Sequence, residues 1–217
     1  MVVLKQKSRF TKISRLKKEM LETTLKMVSL STQYVKKNKI SKSKIEALEA
    51  SLNAQEKSLD TECVVALATG KPVAKSLRRI TMTLKMTSDL ERIGDLAYSI
   101  IMCAMRYYEL EKATSIDIVK KLSESTLSIL KKVVICVEKN KFEEAREIRA
   151  LDREINENRQ IATVKILQEI SKNSSKILSL YELISIAQKY ERIGDHCKNL
   201  AEELIYSEVG DNIKHEH

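Results

Sequence analysis

The segment Glu-Arg-Ile-Gly-Asp occurs twice in the 217-residue chain, at 91–95 and again at 191–195. Each copy carries two carboxylates four residues apart, Glu91 with Asp95 and Glu191 with Asp195. On a helix that spacing sets both acids on one face, one turn apart. Acids so placed repel, and more acids on a neighbouring helix add to the repulsion unless a cation or protons neutralise them. Grouped carboxylate oxygens are hard ligands, suited to magnesium, calcium, manganese or iron. A single such pair opposite an apolar face is ordinarily a solvated surface. An identical five-residue string in two otherwise different halves points instead to a shared constraint. Gly94 and Gly194 add to the case, because each costs its helix about 1 kcal/mol relative to alanine. A close helix approach or a ligand near the backbone would explain them.

A second segment supplies partners for the acids. Glu49 and Asp152 stand 103 residues apart, each followed four residues later by an asparagine, Asn53 and Asn156. Each half thus offers two acids from one helix and an acid plus an amide from another, an oxygen-rich set fit for a polynuclear metal site. Glu56 extends the first set, but its counterpart is Arg159, so the two sites are expected to differ in charge or occupancy. His196 follows Asp195 and is a further candidate ligand, since imidazole suits zinc or iron. Its counterpart is Leu96, which confines that role to the second half, and a lone helical histidine is more often a hydrogen-bonded structural residue. His215 and His217 fall in a tail expected to fray.

The elements that must position these groups are helices. One proline, four glycines and two phenylalanines leave few turn or strand formers among Leu, Ile, Lys, Glu, Ala and Ser. Polar breaks near 36–41, 69–72, 112–115, 139–141 and 171–175 divide the pattern into six long helices, at about 9–37, 42–69, 73–110, 116–139, 142–171 and 176–207. The apolar series Met86, Leu90, Ile93, Ala97, Ile100, Ala104 is mirrored by Ile186, Tyr190, Ile193, Cys197, Leu200, Leu204 at an offset of 100. Both step 4-3-4-3-4, the spacing of a bundle seam. Ile45, Leu48 and Leu52 match Ile148, Leu151 and Ile155 at 103. The fold class is therefore all-α, a tandem duplication of a three-helix bundle, with units at 1–112 and 113–217. At 100° per residue the repeated acids lie roughly 160° from the seam, pointing away from it.

Composition narrows the function classes. An apolar fraction of 43% excludes wholesale disorder. No run reaches the 18 apolar residues of a spanning helix, and Val2-Val3-Leu4 is too short for a signal-peptide core, so an unexported, cytoplasmic protein is expected. Cys63, Cys103, Cys136 and Cys197 form no Cys-x-x-Cys pair and read as small core residues rather than a zinc ribbon or disulfide framework. The net charge of +9 is spread along the chain without an aromatic platform, which argues against a dedicated nucleic-acid surface.

Three stretches carry a family resemblance. Gly-Lys-Pro-Val-Ala-Lys-Ser-Leu-Arg-Arg at 70–79, Thr-Ser-Asp-Leu-Glu-Arg-Ile-Gly-Asp at 87–95, and Tyr-Glu-Arg-Ile-Gly-Asp-His-Cys-Lys-Asn-Leu-Ala-Glu at 190–202 resemble the PhoU family of phosphate-uptake regulators. The resemblance extends over nearly the whole chain. It implies paired three-helix bundles whose Glu-x-x-x-Asp motifs hold multinuclear metal clusters, with iron or zinc foremost and manganese or magnesium next. It also implies a non-enzymatic regulator standing between the ATPase subunit of a phosphate ABC transporter and a membrane sensor histidine kinase, restraining uptake and the starvation response when phosphate is ample. A homodimer that meets the membrane only through those partners is expected. By position Glu91, Asp95, Glu191 and Asp195 match the motif in full, and Glu49 and Asp152 match the acidic position of the second helix. Asn53 and Asn156 depart from it, standing where family members commonly carry aspartate. The first unit has Leu96, Ser99 and Met102 where the second keeps the more typical His196, Asn199 and Glu202, so the second site is expected to be the better one.

Two further readings stand beside this one: a metal-free helical adaptor whose acidic face binds a basic partner, and an accessory of a different phosphate transporter. A ferritin-like di-metal enzyme is disfavoured, because those bundles use Glu-x-x-His pairs and the chain has none.

Overall fold

The structure, a computed structural model, describes residues 2–36, 41–70, 72–111 and 117–209, the side chains of 2–7 and 149 excepted. The boundary expected at 112/113 and the tail residues His215 and His217 lie outside the described residues. Six long helices form: α1 (Val2–Val35), α2 (Lys42–Gly70), α3 (Ala74–Glu111), α4 (Asp117–Lys139), α6 (Ile148–Lys172) and α7 (Ile177–Val209). A four-residue helix, α5 (Phe142–Ala145), precedes α6, and a 3-10 turn at Ser174–Lys176 precedes α7. No strand occurs among the described residues. At 38 residues α3 spans about 57 Å.

Two expectations are adjusted. The first helix starts at Val2 rather than residue 9, and the helix expected at 142–171 is broken. Asn140 takes a left-handed conformation (φ 53°), and Lys141 N–H donates to the Cys136 carbonyl at 2.8 Å, closing α4. The backbone then tightens: Arg146, Glu147 and Ala150 N–H donate to carbonyls only three residues back. That tightening carries the chain into α6 with Ala145 and Ile148 both buried.

Packing follows the repeat. α1, α2 and α3 pack on one another, as do α4, α6 and α7. The units meet where α3 lies along α7 and α1 along α4, so each central helix touches its own counterpart, while α2 and α6 flank the assembly. One continuous apolar core runs through both units. Every residue of the two seam series lies in it. The flanking helices repeat the registry: Ile45, Leu52, Leu59 and Cys63 of α2 are buried, and so are Ile148, Ile155, Ala162 and Ile166 of α6, each 103 residues on. The first helices match as well, at an offset of 102. Thr24 donates to the Leu90 carbonyl (3.3 Å) as Thr126 donates to that of Tyr190 (3.5 Å). The duplication thus covers all three helices.

Tyr190 replaces Leu90 at the centre, and its fully buried hydroxyl lies 3.2 Å from Ser31 Oγ, which supplies the partner a buried phenol requires. Polar contacts line the α3–α7 junction: the ion pairs Arg79 with Glu208 (2.8 Å), Lys85 with Glu203 (3.2 Å) and Arg106 with Glu182 (2.7 Å), and the hydrogen bond between His196 and Asp89 (2.8 Å). As the α3 partner rises in number the α7 partner falls, so the two helices run antiparallel.

The glycines mark where each flanking helix crosses its neighbour. A Cβ on Gly94 would stand 2.1 Å from Leu52 Cδ2, and one on Gly194 would stand 3.0 Å from Ile155 Cδ1. Leu52 and Ile155 are themselves counterparts, so the same close approach occurs twice. Alanine gains about 1 kcal/mol of helix propensity at either site, whereas overpacking a filled core costs about 1–3 kcal/mol. Gly94→Ala is therefore expected to destabilise the protein by up to about 2 kcal/mol in urea unfolding, and Gly194→Ala by less. The reverse order would contradict the tighter crossing at Gly94.

Candidate functional site

Two acidic clusters form where the flanking helices cross α3 and α7, on the outer side of each seam. In the first, Asp95 is exposed on α3, while Glu91 beside it and Glu49, Asn53, Glu56 and Asp60 on α2 are half-buried. The sequence pattern grouped Glu49, Asn53, Glu91 and Asp95, and the Asp95 charge acts on both Glu49 and Glu91. Burial and the charges of Asp95 and Glu46 push the Glu49 carboxyl up, and burial with the charges of Asp60 and Asp95 does the same to Glu56. Glu91 is pushed up to about 7, first by burial, then by the Asp95 charge and a hydrogen bond with Asp95 that only a protonated acid can donate, and then by Glu56. Its one opposing charge, Arg92, is exposed. Buried oxygens without a hydrogen-bond partner, Gln55 Oε1 and Asp60 Oδ1, also belong to this stretch of α2.

The second cluster has the same frame and a different balance. Asp152 is 6% exposed on α6, with Oδ1 unpartnered and 3.4 Å from where a Cβ on Gly194 would stand. Burial raises its carboxyl, as do Asp195, Glu191 and Glu202, against a lowering influence from Lys198. Asp195 is exposed and Asn156 half-buried. Here, however, Arg159 brings Nε to 3.2 Å from Glu191 Oε1. Arg159 Nε nevertheless makes no aligned hydrogen bond, so this is a contact of charges. The residue that replaces Glu56 thus answers one of the two motif acids. His196 stands apart from these acids, with Nδ1 2.8 Å from Asp89 Oδ1 on α3 across the unit junction.

Periodicity did not single out Asp60, Gln55 or Asp89. Asp60 had a usable signal, since Glu49, Asn53, Glu56 and Asp60 step 4-3-4 and so share one helical face. Asp89 had none, because it is joined to His196 by packing between units.

Among the described residues no three His, Cys, Asp or Glu side chains converge closely enough to hold a metal ion as they stand. The chemistry of the donor set still fits a hard cation. Several carboxylates hold one another's pKa up, and buried oxygens on the same helices lack hydrogen-bond partners.

Comparison with known proteins agrees with the duplicated architecture. The PhoU domain model matches twice, at residues 18–104 and 119–204. The phosphate-specific transport system accessory protein PhoU of Serratia marcescens is 26% identical over 167 residues, 77% of this chain and 69% of its own length. A homologue of that protein from Thermotoga maritima is 33% identical over 150 residues, 68% of this chain and 64% of its own. Crystal structures of PhoU from Pseudomonas aeruginosa (TM-score 0.75, 21% identity, 97% and 98% coverage) and of the phosphate transport system regulatory protein PhoU from Streptococcus pneumoniae (TM-score 0.79, 20% identity, 99% and 100% coverage) share its fold. With both units matched in the order and spacing that the helices and glycine crossings show, the chain belongs to the PhoU family.

Proposed function

We propose that this protein is a non-catalytic regulator of phosphate transport and of phosphate-starvation signalling, an adaptor that binds metal through its acidic clusters. Membership of a family whose named relatives are accessory proteins of phosphate-specific transport supports the transport role. The metal-binding part rests on one observation: an acid cluster at the α2–α3 crossing in which Glu91 is pushed up to about 7. The partners in this reading are the ATPase subunit of a phosphate ABC transporter and a membrane sensor histidine kinase, met in the cytoplasm by a homodimer. No helix of the described residues is long and apolar enough to cross a membrane, in keeping with membrane contact through partners alone. Removing the gene is expected to raise a phosphate-starvation reporter in phosphate-rich medium; an unchanged reporter would sink the regulatory reading.

Glu49, Glu91 and Asp95, with Asn53 as a neutral ligand, would hold metal in the first unit, and Asp152, Glu191 and Asp195, with Asn156, in the second. Iron or zinc, or else manganese or magnesium, would supply positive charge that lets the carboxylates ionise side by side. Sequence alone favours the second site. The Arg159 contact shifts that preference to the first, because Glu191 already has a cation and Glu91 has none buried beside it. In equilibrium dialysis with manganese or zinc, Glu91→Gln with Asp95→Asn is expected to remove most bound metal, and Arg159→Gln to increase it. Wild-type protein that stays metal-free after loading would overturn the metal-binding reading.

The same cluster fixes a pH dependence. Glu91 binds its proton more tightly folded (about 7) than at its ordinary value of 4.5, so the folded state is protonated in excess between those values. That contribution to stability is complete below about 4.5 and is lost as pH rises through about 7. Glu56 of α2, whose charge acts on Glu91, and Glu49 and Asp60 on the same helix are shifted in the same direction. Metal-free protein should therefore lose melting temperature between pH 5 and 8. Manganese should restore it at pH 8 and do little at pH 5, and Glu91→Gln should flatten the slope.

A further inference from the structure

Away from both acid clusters, a half-open cavity of about 430 Å³ lies at the end of the unit junction, between α1, the start of α3 and the end of α4. Its polar side carries Lys17 and Arg79 with the hydroxyl residues Ser14 and Ser76, and its apolar side is formed by Phe10, Ile80 and Val137. Among the described residues Lys17 has no ion-pair or hydrogen-bond partner. Burial lowers its pKa, and the Arg79 charge lowers it further. Arg79 uses Nε (3.0 Å) and Nη2 (2.8 Å) on Glu208 Oε1, while the other oxygen of that carboxylate takes Lys75 at 3.1 Å. Two cations thus share one carboxylate. Glu138 also lines the cavity, but Lys18 stands 3.9 Å from it. Lys18 also stands 3.8 Å from Glu22, so Lys17, Lys18, Lys75 and Arg79 are set against Glu22, Glu138 and Glu208, and the one surplus positive charge falls to Lys17. The helix ends do not alter this, since the positive end of α3 and the negative end of α4 meet here with about half a charge each.

We propose that this cavity binds a phosphate monoester of mononucleotide size, its phosphoryl group on Lys17 and Arg79 and its body against Phe10, Ile80 and Val137. A phosphoryl group offers three terminal oxygens to the donors Lys17, Arg79, Ser14 and Ser76, whereas a carboxylate offers two. The volume lies within the range of small-ligand sites and far exceeds what a bare oxyanion fills. The mixed lining, with a few cationic groups set beside an apolar wall, is the arrangement that orients an amphipathic ligand.

Calorimetric titration of the full chain with AMP, inorganic phosphate and adenosine tests the assignment. AMP is expected to bind more tightly than either of the others. Lys17→Gln should weaken AMP binding by about tenfold or more, the loss of one charge-assisted contact, while the same charge change at exposed Lys121, Lys121→Gln, leaves it unchanged. Ser76→Glu, half-exposed in the first turn of α3 where an acid favours the helix, should abolish binding and serves if Lys17→Gln does not fold. Absence of AMP binding to the wild type, or AMP binding indifferent to Lys17→Gln and Ser76→Glu, would overturn the proposal. So would inorganic phosphate binding as tightly as AMP, which would leave the apolar wall without a role.

Discussion

The distance at which α2 crosses α3, and α6 crosses α7, is the constraint on which the acidic sites depend. Leu52 and Ile155 reach the backbone at Gly94 and Gly194 because no Cβ stands there. A larger residue would hold the flanking helix off, and Glu49 and Glu56 would no longer share a field with Glu91 and Asp95. One missing carbon per crossing thus brings carboxylates within reach of each other against their own repulsion. That repulsion is offset by an apolar core beneath, where Leu52, Ile93, Ile155 and Ile193 are all buried. Burying a side chain of this kind contributes roughly 1.5–3 kcal/mol, several times what a pair of partly solvated like charges costs at helix spacing.

From the same backbone the two units resolve the repulsion differently. In the first, carboxylates face carboxylates, and the outcome is a proton held near neutrality on Glu91. In the second, Arg159 and Lys198 lie among the acids, and the buried Asp152 Oδ1 is left without a hydrogen-bond partner. The junction between the units has its own chemistry. The ion pairs along α3 and α7 are partly solvated, and such pairs contribute at most about 1 kcal/mol each. Alignment rests on the shared core and on Tyr190, whose buried hydroxyl lies beside Ser31 of the other unit.

Most of the fold was legible because a 4-3-4-3-4 apolar rhythm leaves a helix one face to bury, and each residue of the two predicted seams is in the core. The break before α6 was not legible. No proline or glycine stands at Arg146–Glu147, and the interruption comes from tightened backbone hydrogen bonds rather than from residue type. The glycine crossings were half legible: the cost of glycine in a helix announced a close approach or a ligand, and only packing showed the approach. The grouping of acids on α2 with those on α3 followed from matched offsets. The Asp89–His196 pair did not, because periodicity places a residue on a face without naming what lies opposite.

Each central helix packs against its own copy, α1 on α4 and α3 on α7, the self-complementary contact that two identical subunits make about a twofold axis. Here both partners lie on one polypeptide. A dimer of identical chains must carry every substitution twice, so its two sites stay alike. A covalently joined pair is free of that rule. Glu56 matched by Arg159, Leu90 by Tyr190, and Leu96 by His196 are broken symmetry of this kind. The frame stays a twofold while its two halves come to hold different charge, which gives a single chain two unequal acidic clusters at a fixed separation.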